Sequence, residues 1–211
     1  MGHSVAILGA SGCEGDEPVR LLDAHWGPGV NDPAPFRLLG RRSYPPRMTV
    51  ARFELEAARL VISHRWAALA TVGTNGPAAS MVAYAPTRDA SRLILFLSGL
   101  SEHTRNLINV PRVSLVVSEA DPGRGDPQTL ARVTLRGVAE VIERNSPAFE
   151  DVWRTYIDRL PEAAPRIVLG DFSLFHVILD EAHYVGGFAQ AHTIGVSRLS
   201  AAALEFEISS S

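Results

Sequence analysis

Lysine is missing from this chain: all 20 of its basic residues are arginine. That excludes a Schiff-base enzyme, which needs a lysine amine, and a P-loop, whose lysine must reach the phosphates. A phosphate group would have to be held by arginine, histidine, hydroxyls or backbone N–H groups. Cysteine is nearly missing too. Cys13 stands alone, so an intrachain disulfide and a thiolate-rich metal site are excluded. No apolar run is long enough to cross a bilayer; Arg92 to Leu100 is among the longest, and it is short and interrupted. The N-terminus lacks the basic start and apolar core of a secretory signal, which makes a reducing cytoplasm the expected compartment. With a formal net charge of -3, nothing points to a nucleic-acid partner or an anionic membrane surface.

What is present is enough for a packed core: 211 residues, 46% of them hydrophobic and 20% charged. Residues 1–47 differ from the rest. The stretch from Gly27 to Pro46 holds five prolines and several glycines, so a Pro/Gly-rich leader or arm is expected there rather than a packed element. From Thr49 to His64 the apolar residues Val50, Phe53, Ala57, Leu60 and Val61 recur at helical spacing. The period then changes to two. Trp66 to Val72, Ala78 to Ala85 and Arg92 to Ser98 read as strands, separated by turns at Thr74-Asn75-Gly76-Pro77 and Pro86 to Ser91. A short helix from Leu100 to Asn109 precedes strands at Arg112 to Ser118 and Leu130 to Ile142. A second amphipathic helix spans Pro147 to Leu160. Asp171 to Leu179 reads as a strand, and Ala182 to Phe188 extends or follows it. Arg198 to Ile208 is ambiguous.

These elements predict a mainly β protein with short helices (α+β), a six-stranded antiparallel barrel closed or nearly closed upon itself, because closure removes exposed edges. The expected organisation is a leader at 1–47, a barrel domain at 48–194 and a C-terminal tail at 195–211.

The N-terminus also carries Gly9-x-x-Gly12-x-x-Gly15 after a short apolar run. It looks like the opening of a dinucleotide-binding fold and resembles the start of the N-acetyl-glutamyl-phosphate reductase group. A Rossmann unit needs further βα pairs; here the proline-rich stretch follows and everything later reads as antiparallel. A glycine motif without that context is weak.

The segment richest in chemistry is Phe96-Leu-Ser98-Gly-Leu-Ser101-Glu-His103-Thr104-Arg105-Asn106-Leu107. A strand ends at Ser98 and a helix begins near Leu100. The first turn of a helix offers unpaired N–H groups and the positive end of its dipole, and the serines, His103, Thr104 and Arg105 add donors. This segment, with Pro111-Arg-Val-Ser-Leu115, resembles the haem-utilisation (HugZ/HutZ-type) branch of the pyridoxamine-phosphate-oxidase-like split barrels. The first barrel strand, Ala67-Ala-Leu-Ala-Thr71, Gly170-Asp-Phe172 and Gly186-Gly-Phe-Ala-Gln-Ala-His192 agree with it. The resemblance runs from about Thr49 to Ile194.

It implies a homodimer of split barrels with a small-molecule ligand at the interface. Flavin-using members bind FMN there. Carried over, the FMN-binding candidates are Ser98, Ser101, His103, Thr104, Arg105 and Asn106, with Ser80, Met81 and Val82 lining the ring; the implied function is an FMN-dependent oxidoreductase. Two departures weaken that reading. The strand Ala79-Ser-Met-Val-Ala-Tyr84 lacks the arginine and lysine of true pyridoxamine-phosphate oxidases, and His103 stands where their turn lysine would be. The alternative is a haem-binding or haem-degrading protein, for which His192, after the Gly-rich loop, is the iron-ligand candidate. A third reading is a non-enzymatic barrel that kept the dimer and lost the ligand. Of the other histidines, His176 reads as packed and His183 as a solvated turn residue. No Ser-His-acid set is legible, so no catalytic residue is singled out.

Overall fold

Phe53, Ala57, Leu60 and Val61, one helical stripe in the sequence, are all buried in helix α1 (Val50–Ser63). In the computed structural model, residues 50–187 and 190–210 are described; the leader, Cys13 and the N-terminal glycine motif lie outside them, as do Phe188 and Ala189. The described residues belong to one unit, residues 45–211.

After α1 come β1 (Trp66–Gly73), β2 (Gly76–Ala83), β3 (Ala85–Pro86), β4 (Arg92–Ser98), α2 (Glu102–Asn109), β5 (Arg112–Ser118), β6 (Arg132–Ile142), α3 (Phe149–Arg159), β7 (Phe172–Val185), β8 (Ala191–Gly195) and α4 (Val196–Ser210). Pro127–Thr129 and Pro161–Val168 are 3-10 segments. The strands form one antiparallel sheet in the order β2-β1-β5-β6-β7-β4-β3, with β8 added on β7.

The six-stranded barrel, closed or nearly closed, expected from the sequence is therefore corrected: among the described residues the fold is mixed α+β, with an eight-stranded open sheet. Its two end strands, β2 and β3, are not hydrogen-bonded to each other. They are joined through Tyr84 alone, so the sheet curls until covalent continuity, not a ladder, bridges its edges. Tyr84 is fully buried at that split; its N–H donates to Arg65 O at 3.0 Å and its hydroxyl to Val61 O at 2.8 Å. Three local features escaped the periodicity. β3 has only two residues and reads as turn. β8 follows the Gly-rich loop, and its five residues carry one buried apolar side chain, Ile194. The segments read as two strands around 180 are one strand, because Asp180 is the extra residue of a bulge: Arg136 pairs with Glu181 but Gly137 pairs with Leu179. At Gly137 a Cβ would run into the Ile178 carbonyl oxygen, so the bulge requires glycine.

The concave face of the sheet holds the main core. Leu69, Leu93, Leu95, Leu115, Leu135, Phe175 and Val177 meet α1, Leu107 of α2, and Leu199 and Ala203 of α4. On the convex side, α3 covers β4 and the first half of β7, where Ile94, Phe96 and Leu174 pack against Val152, Trp153 and Tyr156. The ring of Phe96 lies 5.0 Å from Trp153 and 5.0 Å from Phe172, centroid to centroid. The rest of the convex face has no helix packed on it among the described residues, and this positions the site.

Candidate functional site

Strand alternation decides what that open face shows. Two rows run across it through paired positions. One is Met81, Ala68, Val116, Thr134, His183, Thr193; the next is Ala79, Ala70, Ser114, Arg136, Glu181, Gly195. The β2–β1–β5 part is apolar and mostly small-residue. Trp66, Val72 and Met81 are each about half exposed on it, at 54%, 49% and 48%. Beside the second row lies a groove of about 580 Å³ lined by Ala70, Val72, Pro77 and Ser114 and by two ion pairs, Arg112–Asp180 and Arg136–Glu181. The Arg136–Glu181 pair spans 2.7 Å. A second groove, about 560 Å³, runs between Trp66 and α3 and is lined by Arg65, Ala83, Tyr156 and Arg166. Burial pushes the Tyr156 phenol up to about 12, against the opposing charge of Arg166, so it stays protonated at neutral pH.

At the end of β4 the expected strand–turn–helix is formed, and α2 lies against β1 and β2. Ser98 Oγ donates to Asp171 Oδ2 at 2.6 Å and accepts the Leu100 N–H at 3.2 Å. Ser101 is the N-cap of α2 but makes no side-chain capping bond. His103 is half-buried; desolvation pulls its pKa below the ordinary value, with Glu102 opposing. Burial therefore favours the neutral imidazole at this turn. Thr104 is buried, and its hydroxyl has no hydrogen-bond partner among the described residues. Arg105 donates to Leu100 O at 2.6 Å. Asn106 Nδ2 donates to Thr71 Oγ1 at 3.1 Å, and its side chain abuts Gly73, where a Cβ would meet Oδ1 at 2.9 Å.

Ser80, Met81 and Val82 alternate. Val82 is in the core, Ser80 points the same way with its hydroxyl buried and unpartnered, and Met81 is on the open face. The three cannot all line one side of a ring. His192 sits on β8 paired with Tyr184, on the concave side, its ring stacked on Phe53 at 5.4 Å. His183 is on the open face, with Nδ1 3.2 Å from Thr193 Oγ1. Read from the sequence as a solvated turn residue, it is a mid-strand position; its alternation with buried Ala182 and Tyr184 was the available signal. Asp171 was visible only inside the Gly-Asp-Phe match, and nothing local announced its partner 73 residues away.

Residues 53–186 match the family model of pyridoxamine 5'-phosphate oxidase. The chain belongs to this family. It is related within it to the haem-utilisation branch of split barrels. It is 30% identical over 132 residues to heme oxygenase HutZ of Vibrio cholerae, covering 60% of this chain and 72% of that protein. It is 34% identical to the non-canonical heme oxygenase HOZ, chloroplastic, of Arabidopsis thaliana, covering 54% of this chain but only 33% of that one. Among solved structures, a heme binding protein from Mycobacterium smegmatis superposes with a TM-score of 0.63 at 30% identity, covering 71% of this chain and 60% of the other. This split barrel thus spans well under two thirds of the Arabidopsis protein and somewhat less than two thirds of the mycobacterial one.

Proposed function

We propose that this split barrel binds haem as part of haem utilisation, with two copies of the chain holding the ligand against their open sheet faces. The observation that carries the reading is the chemistry of that face. It offers an open, small-residue apolar surface with Trp66, Val72 and Met81 standing on it and Arg112 and Arg136 at its border. A tetrapyrrole with two carboxylates matches that combination, its macrocycle on the apolar area and its acids exchanging with Asp180 and Glu181 as partners of the two guanidinium groups. The names of the relatives support the same ligand. Bound haem would supply the redox-active iron; the chain would supply the apolar surface, the acid partners and a histidine. Two histidines of the β7–β8 hairpin are available. His183 is presented on the face directly, whereas His192 has to leave Phe53 to reach it.

The FMN oxidoreductase reading has one observation in its favour, the buried and unpartnered hydroxyls of Ser80 and Thr104, which a ligand or water would satisfy. Against it, Arg105, the arginine carried by the turn itself, is turned to Leu100 O.

Absorption spectra of the purified protein titrated with haem and with FMN separate the readings. A saturable Soret shift that survives gel filtration is expected with haem, and His183→Ala or His192→Ala should change it, identifying the ligand. A retained flavin band with no Soret shift would replace haem by flavin. Neither band would leave the non-enzymatic reading.

A further inference from the structure

The groove between the start of β1 and α3 gathers hydrogen-bond donors that the protein leaves largely unused. Its volume of about 560 Å³ falls within the roughly 300–1,000 Å³ of small-molecule sites. Trp66, Ala83, Leu160 and Ala163 form an apolar lining, and the polar groups are Arg65, Glu162, Arg166 and Tyr156.

Tyr156 is the informative one. Only 2% of the residue is exposed, and its ring is held by Phe96 and Trp153, with centroids 5.9 and 6.1 Å away. A buried tyrosine hydroxyl ordinarily finds a partner. This one makes no hydrogen bond among the described residues. It lies close enough to Arg166 for that charge to oppose the burial that raises its pKa, so the phenol is a fixed, protonated donor beside a cation. Arg166, on the 3-10 segment Pro161–Val168, has no side-chain partner of its own among the described residues. Arg65 approaches Glu162 at 3.9 Å, but both side chains are well exposed, and such a pair holds its arginine weakly.

We propose that this groove is a binding site for a small organic carboxylate with a flat apolar body, bordering the open face at Trp66 and independent of the haem reading. The acid lies against Arg166 and accepts the Tyr156 hydroxyl, while the body covers Trp66, Ala83 and Leu160. Donors dominate the polar lining, so the polar end of the ligand is an acceptor. A planar guanidinium suits a carboxylate. The charges of Arg65 and Arg166 less that of Glu162 leave one positive charge, which a monoanion balances.

Isothermal titration calorimetry of the full chain with cinnamate and with cinnamamide, its uncharged counterpart, tests the site. Wild type is expected to bind cinnamate about tenfold tighter than cinnamamide, the worth of a charge-assisted hydrogen bond, and tighter than phenyl phosphate. Arg166→Gln should bring cinnamate to the level of cinnamamide. Tyr156→Phe keeps the packing of the ring and should weaken cinnamate roughly threefold. If Tyr156→Phe does not fold by circular dichroism, the exposed Arg166 decides alone. Equal affinity for cinnamate and cinnamamide, or binding of neither, overturns the proposal. So does a preference for cinnamate that survives Arg166→Gln, because the acid then lies elsewhere, and phenyl phosphate binding tighter than cinnamate overturns the carboxylate class. Haem titration is read separately: a missing Soret shift sinks the haem reading and leaves the cinnamate ratio to judge the groove.

Discussion

Gly137 shows how much one residue can decide in this sheet. Its missing side chain lets β6 approach the Ile178 carbonyl, and the bulge opposite it changes which β7 residues meet the open face. Gly137→Ala forces the strands apart; a loss of about 1–3 kcal/mol is expected in urea unfolding, and an unchanged midpoint would show that the bulge relaxes freely. Two histidines respond to pH. Burial lowers the pKa of His103, with Glu102 opposing, and that of His176, where Arg92 adds to burial and Glu140 opposes. Both groups bind protons more readily in the unfolded chain, so stability is full above the unfolded value of about 6.5 and falls as pH drops through it. Thermal midpoints between pH 7.5 and 5 should decline, and His103→Gln combined with His176→Gln should flatten the decline.

Among the elements, α4 is the one whose place was least legible. Its residues, read as an ambiguous tail, bury Leu199, Ala202 and Ala203 in the main core beside α1, and Arg198 Nε donates to Glu54 Oε1 at 2.9 Å. Small residues dominate that buried stripe, so the apolar period was faint although the packing is tight. Leu199→Ala should cost about 2–5 kcal/mol, as for other fully buried leucines; calorimetry that shows less than about 1 kcal/mol would mean α4 is dispensable to the core. Helices α1 and α3 were legible because large apolar residues mark their faces. The strands β5 and β6 were legible from apolar residues at period two, β4 as a continuous apolar run buried on both faces, and β1 and β2 from the Asn-Gly turn between two short apolar runs. The bulge hid the unity of β7, since an inserted residue breaks the alternation that periodicity detects.

At the scale of the whole molecule, the open convex face is the feature a second copy would cover. Met81 stands on it, on the end strand β2, paired with Ala68. Met81→Arg places a charge where apolar surface would be buried. If the proposed pairing of copies is correct, wild type sediments as a dimer and this variant as a monomer with an unchanged far-ultraviolet spectrum. A monomeric wild type at high concentration, with or without haem, would remove the face from consideration as an interface.

The sequence by itself determined the family, through the His-Thr-Arg-Asn turn, the Pro-Arg-Val-Ser-Leu strand and the Gly-rich loop, and it determined most elements, because side-chain period reports which faces are buried. It also excluded lysine chemistry outright. Tertiary structure alone decided the number of strands and the split at Tyr84, since pairing between distant strands leaves no local mark. It also decided which candidates share a surface. Met81 and His183 fall on one face, Ser80, Val82 and His192 on the other, and Asp171 meets Ser98 across 73 residues. Strand parity and long-range registry set those relations, and a linear chain carries parity only until the first bulge shifts it.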